Sequence, residues 1–202
     1  MKEKKDNFDN YLIEDDEDGR KRYTMWSIMP VAMVNPQLGW SRARDEGPTP
    51  EIATLRFFIP ICIFAALADF LIYLYPGQYT FPGVLVGSVV TLCSFFIGYY
   101  LSLVLTRLLL RKHSKSLPAT DYGKLLIMGS TSTLAFFHIL MRAFPMFDFI
   151  LEFLPLWTIY LVFEGIRQEH HDQEYSIFSI GMVCLIIICS PILIEWILSI
   201  FV

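Results

Sequence analysis

The sequence predicts an all-α integral membrane fold of five transmembrane helices. Its N-terminus is cytoplasmic, its C-terminus is outside, and a short interfacial helix precedes the first span. Three observations carry this. Residues 84–110 read VLVGSVVTLCSFFIGYYLSLVLTRLLL, and no charged residue occurs from Phe70 to Thr106. A helix crossing a hydrocarbon core of roughly 30 Å needs about 20 apolar residues, so this run spans with room for tilt. Composition agrees: 54% of the 202 residues are hydrophobic and 18% are charged, against the roughly 25% charged residues usual in soluble domains. The third observation is charge asymmetry. Arg107, Arg111, Lys112, Lys115 and Lys124 follow the long run, and Arg42, Arg44, Arg56 and Arg167 fall on the same side, with Arg142 alone on the other. The positive-inside rule makes the basic side cytoplasmic.

In chain order, residues 1–22 form a charged cytoplasmic tail. Its opening MKEKKDNFDN lacks the apolar stretch of a signal peptide, so nothing marks it for removal. Acidic residues 14–18 are followed by Arg20, Lys21 and Arg22, and blocks of charge with few apolar residues predict a flexible segment. Residues 23–55 are the interfacial, juxtamembrane segment. The stretch YTMWSIMPVAMVNPQLGW is apolar but interrupted by Pro30 and Pro36, too short and broken to span. Trp26 and Trp40 suit the headgroup level, and Arg42 and Arg44 suit anionic lipid. Asn35 is placed to cap a short helix that has Pro36 at its first position and ends at Gly47-Pro48. Thr49-Pro50-Glu51 is a second start signal. The membrane domain, 56–202, contains spans over 56–75, 84–110, 124–144, 147–166 and 176–202, with a tight uncharged turn at 76–83. Pro60, Pro155 and Pro191 fall inside spans, where each removes a backbone hydrogen bond and bends the helix.

Chemistry is sparse. Cys62, Cys93, Cys184 and Cys189 all lie in apolar runs and read as small membrane-helix residues rather than a disulfide framework. Cys184 and Cys189 are about 140° apart on a helix, too far around it to share a metal. Residues 169–174, EHHDQE, hold ligand-type side chains without zinc-site spacing and read as a solvated loop. The chain has no nucleophile elbow, phosphate-cradling glycine loop or HExxH helix, so neither catalysis nor a cofactor is expected. Nothing in it suggests nucleic-acid binding. Gly83 and Gly87, and the run from Gly129 to Thr133, suit close helix packing within the chain, with self-association as the sharper reading. Asp69, His138, Arg142, Glu152 and Glu195 come from four spans and fall in one outer-leaflet layer. Isolated carboxylates there are costly, so the sequence predicts an inward-facing polar cluster, structural in preference to a proton or ion path.

Asn35-Pro36-Gln37-Leu38-Gly39-Trp40 precedes the first of five spans, and the fourth ends in Trp157-Thr158-Ile159-Tyr160-Leu161-Val162-Phe163-Glu164-Gly165. Over residues 31–202 this resembles the Yip family of Ypt/Rab-interacting membrane proteins in its short bacterial form. The family motif residues here are Asn35, Pro36, Trp40, Trp157 and Gly165. The eukaryotic Asp-Leu-Tyr-Gly-Pro motif is absent from the tail, and Asp121-Tyr122-Gly123 stands in the wrong place, so small-GTPase binding is not carried over. The resemblance implies an integral protein of a bacterial cytoplasmic membrane without known chemistry, and with no catalytic motif in the chain the leading expectation is a non-enzymatic scaffolding or membrane-organising protein. Its partners are the lipid bilayer and other membrane proteins or further copies of itself. A small proton- or ion-coupled permease using the polar cluster is the alternative.

Overall fold

Asn35 divides the first apolar stretch in two. The computed structural model describes residues 13–15, 21–75, 77, 80–110, 120–147, 149, 153–169 and 177–200, and within it helix α1 (Met25–Val34) and helix α2 (Pro36–Glu46) fold back on each other about this residue. Asn35 leaves helical geometry at φ −136°, ψ 88°. Its N–H donates to the Val31 carbonyl at 2.7 Å, and its side-chain oxygen accepts from the Leu38 N–H at 3.3 Å. Pro36 supplies a first helical residue that has no N–H to satisfy. Farther along α2, Gly39 lies directly over the backbone of Ala32, where any side chain would overlap it. Helix α1 is apolar on every side. Met25, Ile28, Met29 and Ala32 are buried, while Trp26, Pro30 and Val34 are exposed.

Before α1 the chain makes a two-stranded antiparallel ribbon, β1 (Ile13–Asp15) with β2 (Lys21–Tyr23). Its register sets Glu14 opposite Arg22 and Asp15 opposite Lys21. Residues 1–12 and 16–20 lie outside those described.

Five longer helices follow: α3 (Pro50–Leu74), α4 (Phe81–Leu110), α5 (Asp121–Ala143), α6 (Leu154–Glu169) and α7 (Ile177–Ser199). Four of them, α3, α4, α5 and α7, are long and apolar enough to cross a membrane, as in a multi-pass membrane protein. Helix α6 has 16 residues, about 24 Å at 1.5 Å per residue. It begins at Leu154, later than the 147–166 span expected, so Pro155 falls in its first turn and interrupts no hydrogen bond. Residues 145–147 form a 3₁₀ turn instead.

Pro60 has its effect in α3. Residues Thr54–Phe58 widen into a π turn just before it, and Pro60 has no N–H to return to the carbonyl of Arg56 four residues earlier. The indole N–H of Trp26 donates to that carbonyl at 2.8 Å, and the Trp26 ring meets Phe57 edge-on at 4.9 Å. Helix α3 then tightens into a 3₁₀ turn over Asp69–Leu74. Helices α4 and α7 share the most extensive interface in the bundle. At its centre Gly98 lies so close to Pro191 that an added Cβ would stand 2.9 Å from its backbone. Helix α5 occupies the middle: 67% of its apolar window is buried, against 39% to 44% for the other three candidate spans.

Candidate functional site

The structure draws polar side chains together at two places, one toward each end of the bundle. The first is centred on Asp69, where α3 changes to its 3₁₀ turn and the residue is only 6% exposed. One carboxylate oxygen accepts from Arg142 Nε at 2.8 Å and lies 3.1 Å from His138 Nε2; the other accepts from Thr91 Oγ1 at 2.7 Å. His138 and Arg142 are one turn apart on α5, Thr91 is on α4, and the ring of Phe95 meets His138 edge-on at 5.8 Å. A carboxylate buried among apolar helices needs a cation and a full set of donors, and Asp69 has both. Chemically the arrangement is a clamp across α3, α4 and α5.

Three of the five residues expected in the polar layer, Asp69, His138 and Arg142, therefore touch. Glu195 is exposed on α7 and, among the described residues, forms no ion pair; it lines cavities that His138 also lines. Glu152 lies outside the described residues. Thr91 was not anticipated. Ser88, Ser94 and Thr106 are buried hydroxyls on the same helix, and nothing in their spacing distinguishes Thr91 from them.

Cavities surround the clamp. One of about 360 Å³ is lined by Tyr75, His138, Met141, Arg142, Pro145 and Glu195 among others. A second, of about 260 Å³, shares His138, Met141 and Glu195 and continues between Phe95, Leu134 and Ile188. A third, of about 320 Å³, lies on the other side of Arg142 against Gly83 and Gly87. The small-residue packing expected at Gly83 and Gly87 is corrected here: an added Cβ at Gly87 would meet nothing within 4 Å. Close helix packing at Gly129 is as expected, and Gly39, Gly98 and Gly165 join it in bringing helices together.

The second place is centred on Trp40, which is completely buried. Its ring packs over Gly129 of α5, and its indole N–H donates to the Leu161 carbonyl of α6 at 2.9 Å. An added Cβ on Gly129 would stand 2.8 Å from both Trp40 and the Met29 sulfur, and one on Gly165 would overlap Leu126. Tyr122 meets the Trp40 ring edge-on and donates its hydroxyl to the Gly165 carbonyl at 2.8 Å. Among the residues on which the resemblance rests, Trp40 and Gly165 adjoin each other, and Asn35 and Pro36 form the bend before Trp40. Trp157 lies apart, 41% exposed, with its ring 5.1 Å from Tyr160.

Trp40 was expected to hold its ring at headgroup level; protein encloses it instead, because two glycines leave a slot of the right width. The two arginines expected near lipid have protein partners as well. Arg42 stacks over the Tyr23 ring at 5.3 Å. Arg44 donates to the Gln168 carbonyl near the end of α6, a favourable place for a cation. A hydrogen bond to Asp45 keeps the Arg44 guanidinium protonated beyond its ordinary range. Trp26 remains 45% exposed.

Glu164 also lies toward this end, buried on α6. One of its oxygens is 3.3 Å from Arg167 Nη1, and the other has no hydrogen-bond partner among the described residues. No three His, Cys, Asp or Glu side chains converge as a metal site requires among the described residues, and residues 170–174 lie outside them. No protein-family model, curated protein or solved structure matches the chain.

Proposed function

We propose that this is a non-enzymatic, Yip-type membrane-organising protein that crosses the bilayer five times and inserts α1 and α2 as a wedge into its cytoplasmic leaflet. The observation that carries this reading is the docking of Trp40 between Gly129 and Leu161. Gly129 follows the start of α5, and Leu161 precedes the end of α6, by about 12 Å of helix in each case. Arg44 reaches Gln168 at the end of α6, so α2 runs outward beside α6 and α1 runs inward. The bend at Asn35 lies deeper than Trp40.

Such a bend is tolerable in hydrocarbon only if its backbone groups are satisfied internally. The Asn35 N–H, the Asn35 carbonyl and the Leu38 N–H all have partners within the hairpin. The apolar exposed face of α1, with Val34 at 86% exposure, suits lipid and gives water no polar face. Arg42, Arg44, Arg56, Arg107, Lys124 and Arg167 make this end cytoplasmic, with Arg142 at the other.

Helix α6 completes the fifth crossing. Tyr122 reaches Gly165 near one end of it, and Pro155 shares a cavity with Met141 and Glu195 near the other. Exposed Phe147, Phe149 and Phe153 precede it. Two extra helices in one leaflet widen that half of the protein, which favours a membrane bent with the cytoplasmic leaflet on its convex side. A proton path through Asp69 has less support, since both of its oxygens are already engaged with protein groups.

Electron microscopy of proteoliposomes tests the reading. Vesicle radius is expected to fall as protein density rises, and to do so much less for Trp40→Ala. Equal radii with and without protein would reject the wedge. A cysteine at position 78 that an impermeant reagent labels only from the cytoplasmic side would reject the orientation.

A further inference from the structure

Arg142 and Glu195 carry opposite charges, line one cavity of about 360 Å³, and form no ion pair with each other among the described residues. Asp69 holds Arg142 through Nε alone. The two Nη nitrogens, which form the bidentate fork that suits phosphate, have no partner among the described residues. The Arg142 side chain is 41% exposed while that of Asp69 is 7% exposed, so an incoming group meets the guanidinium and not the carboxylate beneath it. Across the cavity Glu195 is exposed. Tyr75, on the same wall, already donates its hydroxyl to the Ala143 carbonyl. Arg142 is at the last turn of α5 and Glu195 one turn before the end of α7, the level of lipid headgroups in a spanning bundle. Below them the 260 Å³ cavity continues inward between Phe95, Leu134 and Ile188, an apolar chamber under a mouth of two unlike charges.

We infer that this mouth binds a zwitterionic lipid headgroup carrying a phosphate and a primary ammonium, with part of an acyl chain in the apolar chamber. The phosphate sits on the Nη pair of Arg142, and the ammonium donates to Glu195. A purely anionic headgroup leaves Glu195 unmatched and brings like charges together. A purely cationic ligand faces Arg142. A quaternary ammonium has no N–H to give Glu195. The site uses the end of the bundle opposite the α1–α2 hairpin, so it stands or falls separately from the wedge.

The test is calorimetric titration of the purified full-length protein in mild detergent with dihexanoyl phosphatidylethanolamine, dihexanoyl phosphatidylglycerol and free phosphoethanolamine. The ethanolamine lipid is expected to saturate one site. The glycerol lipid and the tail-less headgroup are expected to bind about tenfold or more weakly, a difference of about 1.4 kcal/mol. Glu195→Gln is expected to weaken the ethanolamine lipid about tenfold and to strengthen the glycerol lipid, whose phosphate then meets no like charge, with the thermal midpoint unchanged. Ile188→Trp, which fills the chamber, is expected to weaken the lipid but not phosphoethanolamine. The inference is overturned if the ethanolamine lipid shows no saturable binding or binds no better than the glycerol lipid. It is also overturned if affinity is the same in Glu195→Gln, or if phosphoethanolamine alone binds as tightly as the lipid.

Discussion

Trp40 donates its indole N–H to the main-chain carbonyl of Leu161 at 2.9 Å, across 121 positions of sequence. Gly165, one turn later on α6, makes this approach possible: a Cβ there would stand 3.3 Å from the indole nitrogen. The expected optical consequence is shielding from both phases. In a chain whose Trp26, Trp157 and Trp196 are replaced by Phe, Trp40 emission should resist bromolipid and aqueous iodide alike. A variant retaining only Trp26 should be quenched by bromolipid. Equal quenching of the two by bromolipid would contradict the enclosed position of Trp40. Trp40→Phe is expected to lower stability by about 1–3 kcal/mol, from the lost hydrogen bond and the space left behind.

The glycines divide into two groups with opposite expected responses. Gly129→Ala and Gly98→Ala each press a methyl group into a neighbour at 2.8–2.9 Å, so each should cost about 1–3 kcal/mol in reversible unfolding from detergent. Gly87→Ala meets nothing and should stabilise by about 0.5–1 kcal/mol through helix propensity. Loss of stability in Gly87→Ala would show that the groove against Arg142 is filled.

Asp69 is expected to behave as one member of a set. Asp69→Leu alone strands Arg142 beside an apolar wall and should cost about 1–3 kcal/mol, below the usual figure for a buried pair because the Arg142 side chain is 41% exposed. Asp69→Leu combined with Arg142→Met should recover most of that loss. Thermal unfolding of the four members of the cycle measures it, and strict additivity would dissolve the clamp.

Trp26 and Pro60 should be coupled through one carbonyl. Trp26→Phe removes the donor to the Arg56 carbonyl and is expected to cost about 1 kcal/mol. In a Pro60→Ala background the helix can supply its own N–H, so the same replacement should cost less. A double-mutant cycle in chemical denaturation reads the difference.

The apolar runs were legible in the sequence because hydrocarbon selects for length and composition, properties of single segments. The short helix starting at Pro36 was legible for a similar reason, since Asn35 and Pro36 act within a few residues of themselves. Asp69, His138 and Arg142 could be brought to one depth by counting residues from helix ends, and the structure pairs them. Thr91 could not be chosen, because the partner of a buried carboxylate depends on helix rotation and depth, and α4 offers four other buried hydroxyls, Ser88, Ser94, Ser102 and Thr106. Trp40 misled for a different reason. A tryptophan near basic residues fits a headgroup layer and an enclosed slot equally well, and the glycines that open the slot, Gly129 and Gly165, are far from it in sequence. The Gly83 and Gly87 pair shows the converse: small residues permit close packing, but another helix must also be present to use the space.

The bond between the Trp26 indole and the Arg56 carbonyl closes a loop of 30 residues, whereas that between Trp40 and Leu161 closes one of 121. At a synthesis rate of about 5–20 residues per second, the second partner follows Trp40 out of the ribosome by roughly 6–24 s. Until Tyr122 and Gly129 of α5 have been made, α1 and α2 can be held only by the opening turns of α3. The Pro60 irregularity therefore provides an early mooring, keeping the hairpin beside the nascent chain until its permanent berth between α5 and α6 has been made.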